Sequence, residues 1–230
     1  MVESPLESSP KSPLAQQGHS VKTNLVLSLD MEDPLEFIRM VGSFEYVKVG
    51  HNLAIYGKSI LDKLYDKCYK VILDLKFSDI PSTVARSIKA WDHPAIVGFT
   101  VHANAGIESV KAALEATDKQ VFSVIKLTSV SGSLEDYKEQ IIGLSRLGSS
   151  FVLPGTWAIK MRNKIGSKIL VPGIRMEQSK EDQKDVITLS DILGIADFAV
   201  IGREIYKSRN PKLKMEEIKE RVKLWENSQQ

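Results

Sequence analysis

Short apolar runs alternate along the chain with stretches of helical spacing, beginning at Asn24. The runs are rich in β-branched and aliphatic residues, and their starts lie 18 to 30 residues apart. They cover residues 24–29, 45–49, 70–75, 96–101, 120–127, 150–153, 168–171 and 197–201. Because these runs are nearly continuous in apolar residues, they are typical of parallel strands that are covered on both faces.

The stretches between the runs place apolar residues three and four positions apart, as a helix requires. Such sets are Val84, Ile88 and Trp91; Leu134, Tyr137, Ile141 and Leu144; and Met215, Ile218, Val222 and Trp225. Eight strand–helix units predict an α/β fold, a (β/α)8 TIM barrel. An open doubly wound sheet is the alternative, but the first run ends in Leu29-Asp30-Met31 rather than a Gly-x-Gly-x-x-Gly turn.

The first 22 residues differ in composition from the rest of the chain. They are rich in serine and proline and contain few apolar side chains. Such a segment cannot bury enough apolar surface to offset the entropy lost on ordering. We therefore predict a disordered N-terminal extension over residues 1–22 and a single barrel domain over residues 23–230.

The overall composition is that of an ordinary soluble globular protein, with 43% hydrophobic and 26% charged residues. A net charge of +2 gives no electrostatic reason to expect binding to nucleic acid or to an anionic membrane. The chain has neither an apolar run of membrane-spanning length nor the apolar core of a secretory signal, which predicts a cytoplasmic protein. Cys68 is the only cysteine, so an intrachain disulfide is excluded, and we expect a partly buried structural thiol.

Polar residues follow most of the predicted strands, where a barrel of this type has its active site. In order, the strand ends carry Asp30, Lys48, Asp74 with Lys76, His102, Thr128, Pro154-Gly155, Pro172-Gly173 and Gly202-Arg203. The first half of the barrel thus supplies charges, and the second half supplies glycines. His102 has no second His or Cys at metal-ligand spacing, so we expect it to have a hydrogen-bonded structural role.

The segment V-I-L-D-L-K-F-S-D-I-P, at the third strand, has the most distinctive pattern. Asp74 and Lys76 are two residues apart and project to the same face of an extended strand, with Lys48 predicted beside them. Opposite charges in contact remain ionised despite partial burial. A structural ion pair is the alternative, with Asp79 serving only as the N-cap of the next helix. Spacing alone leaves both interpretations open.

Gly202-Arg203 ends the last strand, in the region where barrels often bind phosphate. Glycine lets a phosphate approach the backbone, and arginine can bind it through two hydrogen bonds. The nearby segment Pro172-Gly173-Ile174-Arg175 favours a phosphate site. Residues 174–186 are long, polar and poor in apolar side chains, which is typical of a loop that closes over a ligand.

These residues resemble the orotidine 5'-phosphate decarboxylase family over residues 24 to about 208. The run D-L-K-F-S-D-I-P-S-T, from Asp74 to Thr83, is similar to that family's D-x-K-x-x-D-I-P-x-T signature. Supporting matches are L-S-L-D at Asp30, Y-V-K-V-G at Lys48, V-H-A-N-A-G from Val101, K-L-T-S from Lys126, V-P-G-I-R at Arg175 and V-I-G-R-E-I-Y from Val200.

The resemblance implies a homodimer that decarboxylates orotidine 5'-phosphate without a metal or a cofactor. It assigns the charged network to Lys48, Asp74, Lys76 and Asp79, with Asp79, Ile80 and Thr83 reaching the partner subunit's site. It further implies that Asp30 and Lys48 bind the ribose, that Thr128 and Ser131 contact the pyrimidine, and that Gly202 and Arg203 bind the phosphate. For the loop we favour Arg175 and Gln183 as ligands, with Gln178 as the alternative glutamine.

Two other functions are compatible with parts of this pattern. Magnesium-dependent sugar-phosphate enzymes such as hexulose phosphate synthase share the Asp-x-Lys-x-x-Asp core, but Ile80-Pro81-Ser82-Thr83 after the core favours the decarboxylase. A catalytically silent barrel would have no need to keep like charges near an anionic ligand. The resemblance therefore implies an enzyme of the carboxy-lyase class, acting in UMP biosynthesis.

Overall fold

Within residues 21–127, 130–176 and 187–229, which the computed structural model describes, eight parallel strands close into a barrel. The strands are β1 Asn24–Ser28, β2 Tyr46–Val49, β3 Lys70–Phe77, β4 Ile96–His102, β5 Gln120–Val124, β6 Ser150–Val152, β7 Ile169–Val171 and β8 Phe198–Ile201. Each strand pairs with its neighbours in sequence, and β8 pairs with β1 through residues such as Val26 and Val200. The predicted (β/α)8 barrel is confirmed and the open sheet is excluded.

Helices follow the strands and cover the outside of the barrel. They are α1 Pro34–Val41, α2 Leu53–Tyr56, α3 Ser59–Tyr65, α4 Pro81–Ala90, α5 Ile107–Glu115, α6 Leu134–Arg146, α7 Gly155–Met161, α8 Leu189–Ile192, α9 Arg203–Tyr206 and α10 Pro211–Asn227. Short 3-10 turns lie at Ala103–Ala105 and Arg162–Lys164. The residues at helical spacing lie where the pattern predicts: α6 and α10 each bury three of their four apolar residues, and α4 ends one residue before Trp91.

Side chains inside the barrel form layers, each contributed by alternate strands, as is usual for this fold. An apolar plug of Val26, Ile72, Phe122 and Leu170, from the four odd-numbered strands, packs with Phe198 and Val200 at the centre. Phe122 and Phe198 meet edge to face, with ring centroids 5.7 Å apart. The plug fills the barrel, so a ligand can enter only above or below it.

Two further layers lie beyond the plug, toward the carboxyl ends of the strands. The lower site layer comes from the even strands and contains Lys48, Thr100, Val152 and Val200. The upper site layer comes from the odd strands or the residue after them, and contains Ser28, Asp74, Val124 and Pro172. Charged and hydroxyl side chains come from β1 to β4, whereas β5 to β8 supply apolar ones. The charges of the first half lie where the strand ends predict, and the predicted glycines of the second half, Gly155, Gly173 and Gly202, also line the site.

A separate ion pair lies at the opposite end of the barrel from the site layers, where β7 and β8 begin. Arg162 Nη1 lies 2.8 Å from Asp197 Oδ2, and both side chains are mostly buried. The guanidinium also donates to the backbone carbonyls of Ile195, Ile165 and Ser167, and Asp197 accepts from the backbone N–H of Ile169. Because each charge is paired and hydrogen-bonded, this cluster can be buried without a large desolvation penalty.

Three predictions about the ends and surface of the chain have different outcomes. Residues 1–20 of the predicted extension lie outside the described residues, while the backbone N–H of Val21 donates to Gly194 at 3.1 Å. The prediction for Cys68 is wrong: its thiol is exposed, because the residue lies in a turn after α3 with φ of 60°. No helix among the described residues is long and apolar enough to cross a membrane.

Candidate active site

A cavity of about 500 Å³ opens at the carboxyl ends of the strands, above the plug. Its charged and hydroxyl lining comes from Ser28, Asp30, Lys48, Asp74, Lys76, Thr100, Lys126, Arg175, Arg203 and Tyr206. Its other walls include Leu127, Ile174, Ile187 and the glycines Gly155, Gly173 and Gly202. A cavity of this size, apolar on one side with converging polar groups on the other, is typical of a small-molecule site.

Asp74 is the centre of the charged half of the cavity. Its Oδ2 lies 2.8 Å from Lys48 Nζ, and its Oδ1 lies 2.9 Å from Lys76 Nζ. The side chain of Asp74 is 10% exposed and that of Lys48 is 11% exposed, whereas Lys76 is 32% exposed to the cavity. The predicted row of Lys48, Asp74 and Lys76 is therefore present, with the carboxylate bridging two ammonium groups.

The neighbouring charges determine the ionisation of this row. Burial raises the pKa of Asp74, but attraction from Lys48 and Lys76 and the hydrogen bonds from both outweigh it, giving a pKa of about 2. Burial lowers the pKa of Lys48, and attraction from Asp74 and Asp30 more than compensates, so the net change is upward. The carboxylate and the Lys48 ammonium are consequently both charged at neutral pH.

Lys76 has an unusual backbone conformation, with φ of 49°. The regular pairing between β3 and β4 is interrupted here, because Asp74, Leu75 and Lys76 occupy the space opposite Thr100 alone. A bulge of this kind redirects a side chain. A non-glycine residue in the left-handed region is strained by about 1 to 3 kcal/mol, and such strain is concentrated at functional sites.

Asp30 extends the charged row toward β1. Its Oδ2 accepts hydrogen bonds from Lys48 Nζ at 3.1 Å and from the hydroxyl of Ser28 at 2.5 Å. The buried amide of Asn52 holds the β1 end by donating to the carbonyls of Leu29 and Met31. Lys48 thus links two carboxylates, and Asp30 is the more exposed of the pair.

Gly202 and Arg203 line the same cavity at the end of β8, next to the β1 end of this row. A Cβ atom added to Gly202 would lie 3.1 Å from Ser28 Cβ and 3.4 Å from Tyr206 Cε1. The close approach of β8 to β1 therefore leaves little space for a side chain at this position, whereas its φ of −135° is accessible to any residue. Arg203 is the first residue of α9 and lines the cavity together with Arg175.

Asp79 and its neighbours lie away from the cavity of their own chain. Asp79 and Ser131 are exposed, Ile80 is 63% exposed, and neither these residues nor Thr83 line the cavity. Ile80 rather than Asp79 is the N-cap of α4, and Asp79 Oδ1 accepts from the Ile80 N–H at 2.7 Å. The alternative role of Asp79 as the N-cap is therefore wrong.

Three predicted ligands, Thr128, Gln178 and Gln183, lie outside the described residues. Two hydroxyl residues that sequence reasoning missed, Ser28 and Thr100, contact the charged row. Each lies two positions before a polar residue at a strand end, so strand periodicity could have indicated them. His102 has the expected structural role, since its Nδ1 accepts from the Asn104 N–H at 3.3 Å. Burial and the charge of Lys76 lower the pKa of His102, which keeps the ring neutral at pH 7.

The fold and the site together define a (β/α)8-barrel enzyme with a buried, ion-paired carboxylate at the carboxyl ends of its strands. A sequence model described as "Orotidine 5'-phosphate decarboxylase / HUMPS family" matches residues 23–218. The chain belongs to this family, which confirms the resemblance.

Individual relatives agree with this assignment. The orotidine 5'-phosphate decarboxylase of Thermotoga maritima is 67% identical over 195 residues, which are 85% of this chain and 97% of that protein. That of Buchnera aphidicola (subspecies Schizaphis graminum) is 33% identical over 213 residues, 81% of this chain and 90% of that protein.

Solved structures support the same fold. A crystal structure of the Thermotoga maritima enzyme matches with a TM-score of 0.80 and 62% identity, and covers 86% of this chain and 99% of that one. The orotidine 5'-phosphate decarboxylase of Lactobacillus acidophilus matches with a TM-score of 0.68 and 26% identity, covering 86% of this chain and 98% of that one.

Proposed function

We propose that the protein is a carboxy-lyase that converts orotidine 5'-phosphate into uridine 5'-phosphate and CO2, without a metal or an organic cofactor. This reaction is the last step of de novo UMP biosynthesis, and we place it in the cytoplasm. The main support is Asp74, a buried carboxylate held between Lys48 and Lys76 at the base of a nucleotide-sized cavity. The 67% identical relative of the same name supports the substrate.

In this proposal, Lys76 performs the proton chemistry. The bond between C6 and the substrate carboxylate breaks and CO2 leaves. The electron pair of that bond remains at C6, which becomes a carbanion. The Lys76 ammonium stabilises the developing charge and then donates a proton to C6, giving uridine 5'-phosphate. The greater exposure of Lys76 to the cavity, compared with Lys48, suits this role.

Asp74 would act through its fixed negative charge. With a pKa of about 2 it remains ionised beside the incoming substrate carboxylate. The repulsion decreases as CO2 departs, so this contact disfavours the ground state more than the transition state. Lys48, bound to both Asp74 and Asp30, keeps the carboxylate in position while Lys76 reacts.

The remaining residues would bind the parts of the substrate that do not react. Asp30 and Lys48 bind the ribose, and Gly202 and Arg203 bind the phosphate with Arg175 and a loop glutamine, Gln183 or alternatively Gln178. Thr128 and Ser131 contact the pyrimidine. Because phosphate binding can drive closure and exclude water, a substrate without phosphate should lose turnover as well as affinity.

We further propose a homodimer in which each subunit supplies Asp79, with Ile80 and Thr83, to its partner's site. Asp79 and Ile80 are exposed and do not line the cavity of their own subunit, which supports this arrangement. Mixing the inactive variants Lys76→Ala and Asp79→Ala under exchange conditions should restore part of the activity. Mixtures that remain inactive despite proven subunit exchange would show that Asp79 does not act across the interface.

The activity test is the loss of orotidine 5'-phosphate absorbance, measured with and without a metal chelator. We expect chelator-insensitive turnover with release of one CO2 for each uridine 5'-phosphate formed. The family description also includes HUMPS enzymes. Magnesium-dependent turnover of a sugar phosphate, without loss of orotidylate, would therefore identify the sugar-phosphate alternative. No turnover of either substrate would indicate a binding protein.

A further inference from the structure

The hydroxyl of Thr100 connects two parts of the charged row from a neighbouring strand. Thr100 is fully buried on β4, in the lower site layer, and its side chain is part of the cavity lining. Its Oγ1 donates to Asp74 Oδ1 at 2.9 Å, and it accepts a hydrogen bond from the backbone N–H of Lys76, also at 2.9 Å. The carbonyl of Leu73 lies farther away, at 3.5 Å, so the single hydroxyl proton is best placed toward the carboxylate.

The bulge in β3 explains why the hydroxyl is needed. Three residues of β3 face one of β4 at this point, so the Lys76 N–H has no regular carbonyl partner across the pair. An unpaired buried backbone N–H destabilises the folded state, and the left-handed backbone conformation of Lys76 adds strain. Thr100 replaces the missing carbonyl with a side-chain oxygen, which valine could not do. The hydroxyl therefore stabilises the backbone conformation that directs Lys76 to Asp74.

Asp74 has three side-chain donors, and only Thr100 among them is neutral. Lys48 binds one oxygen, while Lys76 and Thr100 share the other. If Lys76 gives a proton to the substrate, its attraction to Asp74 is reduced during the reaction. The Thr100 bond does not change, so the carboxylate keeps one contact on that oxygen while the lysine reacts.

We infer that Thr100 is a positioning residue for the reaction. Its hydroxyl binds both the bulged backbone of Lys76 and the carboxylate of Asp74, and so fixes their positions relative to each other. The inference rests on the proposed decarboxylase function for its kinetic consequence. Its geometric consequence, protection of one backbone amide, does not depend on which substrate is used.

The test compares Thr100→Val with Thr100→Ser, in the full-length chain. Valine removes both hydrogen bonds at similar volume, and we expect kcat for orotidine 5'-phosphate to fall by about tenfold to 100-fold, as for small misplacements of catalytic groups. The dissociation constant of uridine 5'-phosphate should change by less than about threefold, since the Thr100 side chain is fully buried and both hydrogen bonds of its hydroxyl go to other protein groups. Serine restores the hydroxyl, so kcat should return most of the way.

Thr23→Val is the matched control. The Thr23 hydroxyl is also buried, and it donates to the Ala196 carbonyl at 2.7 Å and accepts from the Gly194 N–H at 3.0 Å, outside the cavity lining. This variant should lose comparable stability with no loss of kcat. Hydrogen exchange provides the independent readout: the Lys76 amide should exchange faster in Thr100→Val and not in Thr100→Ser.

The inference is overturned if kcat of Thr100→Val matches that of Thr23→Val, or if uridine 5'-phosphate binding weakens as much as kcat. If Thr100→Val does not fold, Thr100→Ser and Thr100→Ala, which differ only by the hydroxyl, give the same comparison. A wild-type protein that does not decarboxylate orotidine 5'-phosphate refutes the proposed function instead. In that case, hydrogen exchange of the Lys76 amide at the wild-type rate in Thr100→Val would still refute the positioning role.

Discussion

The left-handed backbone of Lys76 predicts an unusual order of stability between two inactive variants. Lys76→Ala keeps a Cβ at φ of 49°, and an L-residue in this region is destabilised by about 1 to 2 kcal/mol. Lys76→Gly removes that strain but makes the unfolded chain more flexible, at a cost of about 0.4 to 1 kcal/mol. The glycine variant should therefore be the more stable by about 0.5 to 1 kcal/mol.

Urea unfolding and thermal melting of the two variants measure this difference. For a chain of this size, 1 kcal/mol corresponds to about 2 to 4 °C in Tm. The neighbouring Leu75, which is not among the described positive-φ residues, is the control: there Leu75→Ala should be more stable than Leu75→Gly. If alanine is also the more stable at position 76, the strain at Lys76 is not present in the protein.

The same variants test the role of the lysine side chain. Both should lose decarboxylation, because neither can stabilise the carbanion or donate the proton. Binding of uridine 5'-phosphate to Lys76→Ala should stay within about tenfold, or 1.4 kcal/mol. A parallel loss of binding and turnover would indicate that the lysine is structural.

Three further outcomes follow from the charges. The pKa of Asp74 is about 2 in the folded protein, against an ordinary value of 3.8. The ionised carboxylate therefore stabilises the folded state by about 2 kcal/mol above about pH 4, and this stabilisation is lost as the pH falls through 2. The stability advantage of wild type over Asp74→Asn should thus be about 1 kcal/mol smaller at pH 3 than at pH 7, and an advantage independent of pH would contradict this. Arg203→Ala should weaken uridine 5'-phosphate binding but not uridine binding; unchanged affinities would remove Arg203 from the site. Arg162→Leu, which leaves Asp197 buried without its ion pair, should cost about 3 to 5 kcal/mol in urea unfolding with kcat unchanged.

Hydrophobic periodicity was sufficient to predict the barrel and the main charges of the site. The eight strands lie within a few residues of the predicted runs, although β3 extends to Phe77 and β5 ends at Val124. The carboxyl end of each parallel strand can be located in a barrel sequence from the end of its apolar run, and the active site lies at these ends. The sequence alone therefore predicts Asp30, Lys48, Asp74 and Gly202 at the cavity, where the structure has them.

Local irregularities could not be predicted in this way. The bulge at Asp74 to Lys76 depends on how β3 meets β4, and its sequence is compatible with a regular strand. Thr100 was missed because a threonine inside an apolar strand has the composition of ordinary core, and its two partners lie on another strand. The exposure of Cys68 likewise depends on the left-handed turn after α3.

The layered interior separates the residues that allow the barrel to fold from those that carry its chemistry. The apolar plug packs below, and the charged side chains occupy two layers above it, with Asp74 two residues after Ile72 on β3 and Lys48 on the neighbouring β2. A substitution in the upper layers can alter the reaction without opening a void in the plug. New substrate specificities are therefore accessible to this scaffold through few mutations, each of which leaves the central packing intact.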